Sequence, residues 1–194
     1  MWGGGGGGPK VAPGTYTVKL TSGSWSATET FRLRTDPRYL PEMTPAEGAE
    51  QLRMATEIGA EVKDLYDNLA RIRSVKKQAA DLSAPTGAGS PIVAAARTLK
   101  ERLEAVEGDM TQLQGDGGQD ALNFPGRMDN QLTALYSAII GPDRRFGTPV
   151  LERYRDLQKS TADLKRRWTE ALKVEVAAFN AVTAKAGLAP IVVK

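Results

Sequence analysis

The amino-acid sequence has 194 residues and contains neither cysteine nor histidine. Without cysteine the chain forms no disulfide, zinc finger or iron–sulfur cluster, and it has no thiol nucleophile. Without histidine it has no Ser–His–Asp triad and no imidazole metal ligand. Acid–base or nucleophilic chemistry is left to Asp, Glu, Lys, Tyr, Ser and Thr. We predict no catalytic residue, no metal site and no cofactor.

Aromatic residues are also scarce, at 6% of the chain, and no apolar run approaches the roughly 20 residues of a membrane span. The N-terminus lacks the basic and apolar regions of a signal peptide. As written, the chain is therefore expected to have no membrane span and to be cytoplasmic or of unassigned location. The net charge of +3 is a weak electrostatic footprint, so no dedicated nucleic-acid partner is expected.

Glycine is concentrated in six consecutive residues that begin at Gly3. The run formally contains the G-x-G-x-x-G pattern of dinucleotide sites, but such a site needs a strand before it and a helix after it. Here Pro9 and a predicted strand follow the run. We interpret residues 1–8 as a flexible glycine linker.

Within residues 9–36, two runs, 15–21 and 25–34, alternate apolar and polar side chains, which is typical of strands. Pro13-Gly14 leads into a first strand, and Ser22-Gly23-Ser24 is a turn signal before a second. The alternation predicts a β-hairpin with one apolar face, whose contacts we expect to be made by Tyr16, Val18, Leu20, Trp25, Phe31 and Leu33. Because two strands alone bury too little in water, this face is expected to pack on the helices or to complete a larger sheet.

Residues 44–188 change to a helical period and predict four helices. Thr44-Pro45, Ser90-Pro91 and Thr148-Pro149 each combine an N-cap residue with proline at the first helical position. The apolar residues recur at alternating steps of three and four, as in a heptad seam. On the first helix Lys76 interrupts this seam, on the second it continues to Leu113, and on the last it ends at Val182.

These patterns predict a mainly α fold. We expect an antiparallel helical bundle of three long helices and one short helix at residues 44–188. The β-hairpin precedes this bundle at 9–36, and a short apolar tail follows it at 189–194.

Paired carboxylates are candidates for acid–base work or glycoside hydrolysis. Glu57, Glu61 and Asp64 lie one turn apart on the first helix, as do Glu101 and Glu104 on the second. They lie off the apolar seam among Lys and Arg, which is typical of solvated helix faces with ion pairs.

Basic stretches are the candidates for nucleic-acid contact. Lys165-Arg166-Arg167 is followed by Trp168, and Arg144-Arg145 lies before the last helix. Trp168 falls on the apolar seam, so we expect it to point into the core rather than to stack on a base.

Residues 8–20, GPKVAPGTYTVKL, and the Asp36-Pro37-Arg38 end of the hairpin carry a family signal. They resemble the C-terminal region of bacterial sortilin-like BNR/YVTN-repeat β-propeller proteins, which are often labelled glycosyl hydrolase or sialidase-like. In that family an Ig-like or fibronectin-like strand region with a P-G-x-Y-x-V motif follows the propeller, and a helical segment comes next. Residues 72–78, 122–132 and 168–188 are similar to that segment, so the resemblance covers essentially the whole chain.

The resemblance implies a non-catalytic C-terminal accessory or scaffold module of an exported, periplasmic or extracellular parent protein. The hairpin would be the remnant of an Ig-like sheet, and the chain a fragment, an internal start or a split gene. Its partner would be the upstream β-propeller and Ig-like domain, and no family active-site residue maps onto this chain. Two alternatives stay open: a glycosidase- or sialidase-type hydrolase, following the family label, and a helical partner-binding adaptor, for which self-association is included.

Overall fold

The computed structural model describes residues 8–39, 43–115, 123–141 and 145–193. In these ranges the chain is mainly helical, with four α-helices after a two-stranded antiparallel hairpin, as predicted. The elements are β1 (Gly14–Ser22), β2 (Trp25–Leu33), α1 (Pro45–Ser83), α2 (Pro91–Met110), α3 (Met128–Ile140) and α4 (Thr148–Lys185). A 3-10 turn, Pro37–Tyr39, follows β2. Within the same ranges, no helix is both long enough and apolar enough to cross a membrane.

Several sequence predictions fall outside the described residues. They concern most of the glycine linker (1–7), the start of the family-like line at 122, the first arginine of the Arg144-Arg145 pair and the last residue of the tail, 194.

The hairpin forms because a two-residue turn joins two strands of matching pattern. Gly23 has φ +59°, whereas no described residue other than glycine has a positive φ. A positive φ at only the first central position is the pattern of a type II′ turn, which matches the twist of the flanking strands. The register runs from Ser22 opposite Trp25 to Gly14 opposite Leu33.

The starts of α1 and α2 follow the predicted caps. Thr148, predicted as the cap of the last helix, is instead its first residue, and the Gly147 carbonyl accepts from the Leu151 N–H at 3.5 Å. At α1 the Thr44 backbone N–H donates to the Glu47 carboxylate at 2.6 Å, and the Glu47 N–H donates to the Thr44 hydroxyl at 3.3 Å. This reciprocal capping box satisfies two donors that a helix otherwise leaves unpaired. At α2 the Ser90 hydroxyl accepts from the Ile92 N–H at 3.2 Å, with Pro91 at the first helical position.

The chain divides into two compact units, one of Met1–Ala60 with Ala134–Arg153 and one of Glu61–Thr133 with Tyr154–Lys194. The first unit holds the hairpin, the start of α1 and the end of α3, where the Gln51 amide donates to the Ile139 carbonyl at 2.5 Å. In the second unit Arg73 pairs with Glu107 and Lys76 pairs with Glu104, which shows that α1 and α2 run antiparallel there.

Most residues of the apolar seams are buried in the core, and the seams of α2 and α4 end differently from the prediction. The seam predicted to continue to Leu113 ends at Met110, and Leu113 is 47% exposed. Thr111 takes extended backbone angles (φ −143°, ψ 155°), and its hydroxyl donates to the Asp129 carboxylate at 2.8 Å, which ends the helix. On α4 the last fully buried residue is Thr183 rather than the predicted Val182.

Lys76, the predicted interruption of the α1 seam, meets a buried carboxylate. Its ammonium contacts the Glu107 carboxylate at 2.5 Å, and Arg73 Nε donates to the same group at 2.8 Å. The Glu107 side chain is 2% exposed. A charge is tolerated in the seam because the facing helix supplies its counter-charge.

Candidate interaction surface

The six predicted contact residues lie on one face of the hairpin. In the antiparallel register Tyr16 is opposite Phe31, and the others follow at even steps along each strand. The Tyr16 and Phe31 rings are stacked, with centroids 5.9 Å apart and an interplanar angle of 27°. We call this set, Tyr16, Val18, Leu20, Trp25, Phe31 and Leu33, the apolar face.

The outer part of the apolar face is open to solvent. Val18 is 52% exposed, Leu20 64%, Trp25 55% and Phe31 51%. Such exposure of neighbouring large apolar side chains on one surface is unusual for a soluble protein and is typical of interaction sites. Among the described residues of the first unit, none covers these four side chains, although the hairpin and the start of α1 belong to that unit together.

The inner end of the hairpin is fixed to the rest of the first unit. At Gly48 in α1, an added Cβ would lie 2.9 Å from Pro13 Cδ, so the helix and the segment before β1 approach as closely as glycine allows. The Tyr16 hydroxyl donates to the Ala12 carbonyl, and the Lys10 ammonium donates to the Gly141 carbonyl at 3.1 Å. Tyr16 and Leu33 are half-buried at this end. The hairpin is therefore an anchored arm.

One acidic residue also belongs to the apolar face. Glu29 is opposite Val18 in the register and so projects between Phe31 and Ala27 on the apolar side. The sequence reasoning did not include it, although the alternation of β2 places it there. The opposite face carries hydroxyl and basic side chains: Thr15, Thr17, Lys19, Thr21, Ser26, Thr28, Thr30 and Arg32.

Both edges of the hairpin are unpaired in the part of the chain that the structure describes, because its sheet contains only β1 and β2. Each strand therefore presents backbone N–H and C=O groups to solvent along its outer edge. Such edges are templates for the addition of another strand.

Among the carboxylates proposed as candidates for chemistry, Glu57, Asp64 and Glu104 form ion pairs. Glu57 contacts Arg53 at 2.5 Å, and Glu104 contacts Lys76 at 3.2 Å. Asp64 contacts Lys165 at 2.7 Å. Hydrogen bonding to that carboxylate raises the pKa of Lys165, against the opposing effect of its partial burial.

The basic stretch of α4 is likewise matched by acidic groups. Besides the Lys165 pair, Arg166 contacts Asp163 and Arg167 contacts Asp109, both at 2.6 Å. Trp168 is 2% exposed and belongs to the core, as the seam predicted.

Among the described residues, no group of three or more acidic side chains is arranged to hold a metal ion. The glycine-rich candidates at 1–7 lie outside those residues. No family model, curated protein or solved structure was found to match the chain, so the resemblance to sortilin-like BNR proteins stays a prediction.

Proposed function

We propose that the chain is a non-catalytic accessory module whose β-hairpin docks on the Ig-like region of an exported β-propeller protein of the sortilin-like, glycosyl hydrolase-labelled type. The observation that carries this proposal is the apolar face, whose four outer side chains are each at least half exposed. Burial of apolar surface contributes about 25 cal/mol per Å². A β-rich partner supplies such burial without any change in the hairpin itself.

The geometry of the hairpin favours its addition to the edge of the partner's sheet over its contact with a groove between helices. The hairpin is a regular ladder of nine-residue strands with two unpaired edges. Strand addition joins backbone hydrogen bonds at an edge to side-chain packing on one face. Because its base is anchored on α1, the arm also transmits its position to the helices, which would brace the docked sheet.

The proposal is tested by joining the chain, from residue 8, to the Ig-like strand region of a sortilin-like BNR protein. We expect the fused protein to melt at a higher temperature than the chain alone, because the apolar face becomes covered. Changing Val18→Glu and Leu20→Glu in the fusion removes the gain, whereas Thr17→Glu and Thr28→Glu on the opposite face keep it. An unchanged melting temperature in the unsubstituted fusion would contradict the proposal.

A direct assay on chromogenic glycosides distinguishes the hydrolase alternative from the accessory module. The accessory module shows no turnover, whereas turnover that one Asp or Glu substitution abolishes would replace the module proposal. The adaptor alternative is separated by sedimentation. A monomeric chain whose helices bind no partner would count against the adaptor alternative. The contacts of the C-terminal tail indicate where such an adaptor would bind its partner.

A further inference from the structure

The C-terminal segment 188–193 is held against the helices of the second unit by two side-chain amides. Gly187, two residues after the end of α4, has φ +70°, which lets the chain turn back. The Gln78 amide accepts from the Val192 N–H at 3.0 Å and donates to the Val192 carbonyl at 2.9 Å. The Asn180 amide does the same with Ile191, at 2.8 and 3.0 Å. We call Gln78 and Asn180 the amide clamps.

Each clamp forms the same pair of hydrogen bonds with the peptide backbone as a residue of a neighbouring antiparallel strand. In an antiparallel ladder one residue exchanges both its N–H and its C=O with a single partner, and the next residue points these groups the other way. Gln78 on α1 and Asn180 on α4 therefore hold consecutive residues from opposite sides. The side chain of Ile191 is buried, at 3% exposure, while Val192 is 55% exposed. Recognition thus requires an extended backbone and one apolar side chain.

An open groove in the second unit adjoins Val193, the last described residue of the tail. An open space of about 640 Å³ begins at Val193 and is lined by Asn68, Arg71, Trp168, Leu172, Lys173 and Val176. From Asn180 back to Trp168, α4 rises about 18 Å, which accommodates about five residues of extended chain. The tail thus occupies one end of a longer groove.

The open part of the groove has an apolar floor and a basic rim. Leu172 and Val176 are buried beneath it, and Arg71 and Lys173 are exposed. Arg71 donates to the Asn68 amide oxygen at 3.1 Å. Among the described residues that line this space, none is acidic. The charge is complementary to carboxylates that follow the position of Val193.

We propose that this groove binds an extended segment of a partner protein, with a β-branched residue at the Ile191 position and acidic residues after it. Residues 188–193 are a placeholder that the segment displaces from the amide clamps. The tail has the advantage of being tethered, which gives it a high effective concentration. The partner segment compensates for the higher effective concentration of the tail through its carboxylates, which face the basic rim. Residues 191–193, Ile-Val-Val, have no acidic side chain.

The probe is a fluorescein-labelled peptide, APIVVEVEE, titrated with the full chain and followed by fluorescence anisotropy. Ile191→Ser releases the tail but keeps the clamps, and we expect at least tenfold tighter binding. Gln78→Ala with Asn180→Ala releases the tail and removes the clamps, and we expect binding at least tenfold weaker than that of Ile191→Ser. The two variants distinguish displacement on the clamps from simple exposure of apolar surface.

Charge recognition is tested separately. Lys173→Glu is expected to weaken binding at least fivefold, whereas Arg155→Glu, the same charge change elsewhere on α4, changes it less than twofold. A peptide with lysine in place of each glutamate binds at least tenfold more weakly. Because Lys173 and Arg155 are exposed, neither substitution alters the fold, which thermal melts verify.

Three results would overturn the inference. These are equal affinities of the Ile191→Ser and double clamp variants, equal effects of Lys173→Glu and Arg155→Glu, and no binding to Ile191→Ser. None of these measurements involves the hairpin, so failure here leaves the hairpin proposal standing.

Discussion

Glu107 is the one acidic side chain in the described part of the chain that is almost fully buried in an ion-pair network. Burial alone raises the pKa of its carboxyl group. Hydrogen bonds and charges from Lys76 and Arg73 outweigh this, so the pKa of Glu107 lies below its ordinary value. The carboxylate is therefore stabilised in the folded state relative to the unfolded state, where its pKa is about 4.3.

A pH dependence of stability follows from this shift. Since the folded pKa is the lower one, the stabilisation is complete above the unfolded pKa and is lost as the pH falls through the folded pKa. Glu107→Gln is expected to lower the free energy of unfolding by about 1.5–3 kcal/mol at pH 7. Urea unfolding between pH 7 and pH 3 should show a smaller pH dependence in this variant. Glu101→Gln, an exposed change on the same helix, should keep the wild-type dependence, and identical pH profiles for the two variants would contradict the assignment.

The sequence identified Lys76 as an interruption but not its partner. Glu107 lies beyond the loop that joins α1 and α2, and nothing in local spacing relates the two residues. The amide clamps could not be predicted from the sequence at all, because Gln78 and Asn180 are ordinary residues for a helix surface. Their role depends on where the tail returns, which is a tertiary property.

At the scale of elements, the close contact between α1 and the segment before β1 depends on Gly48. Gly48→Ala would gain up to about 1 kcal/mol in helix propensity. Its new Cβ, however, would lie 2.9 Å from Pro13 Cδ. At Gly59 in the same helix an added Cβ meets Tyr136 at an ordinary 3.5 Å.

We therefore expect Gly59→Ala to raise the free energy of unfolding by roughly 0.5–1 kcal/mol. Gly48→Ala should show no gain and should accelerate amide exchange in β1, because the segment before β1 is pushed from the helix. Denaturant unfolding and hydrogen exchange measure the two effects. Equal stabilisation by both substitutions, with unchanged amide exchange in β1, would contradict a close contact between Gly48 and Pro13.

Most elements were predictable from local patterns. The period-two alternation placed β1 and β2, and the Thr-Pro and Ser-Pro pairs placed the starts of α1 and α2. The start of α4 was predicted to within one residue, because Thr148 lies in the helix rather than at its cap. The end of α2 was not predictable, because Leu113 continues the apolar period. What ends the helix is the contact of Thr111 with Asp129, which belongs to another element.

At the scale of the molecule, a hairpin anchored on α1 precedes the helices, and in the described part of the chain the outer side chains of its apolar face stay exposed. The sequence predicted which residues share that face, because a strand alternates strictly. It did not predict that Tyr16 and Leu33 would be half-buried at the base while Val18, Leu20, Trp25 and Phe31 stay open. That division depends on where the hairpin meets α1.

We propose above all that the apolar face docks on the Ig-like region of a β-propeller protein. Photo-crosslinking tests it most directly, with benzoylphenylalanine in place of Trp25 and, as control, in place of Thr28 on the opposite face, in cells that produce the protein. We expect an adduct at position 25, mapped by mass spectrometry to a strand of an Ig-like or β-propeller region, and none at position 28. An adduct only with a second copy of the chain, equal adducts at both positions, or no adduct at position 25 would contradict it.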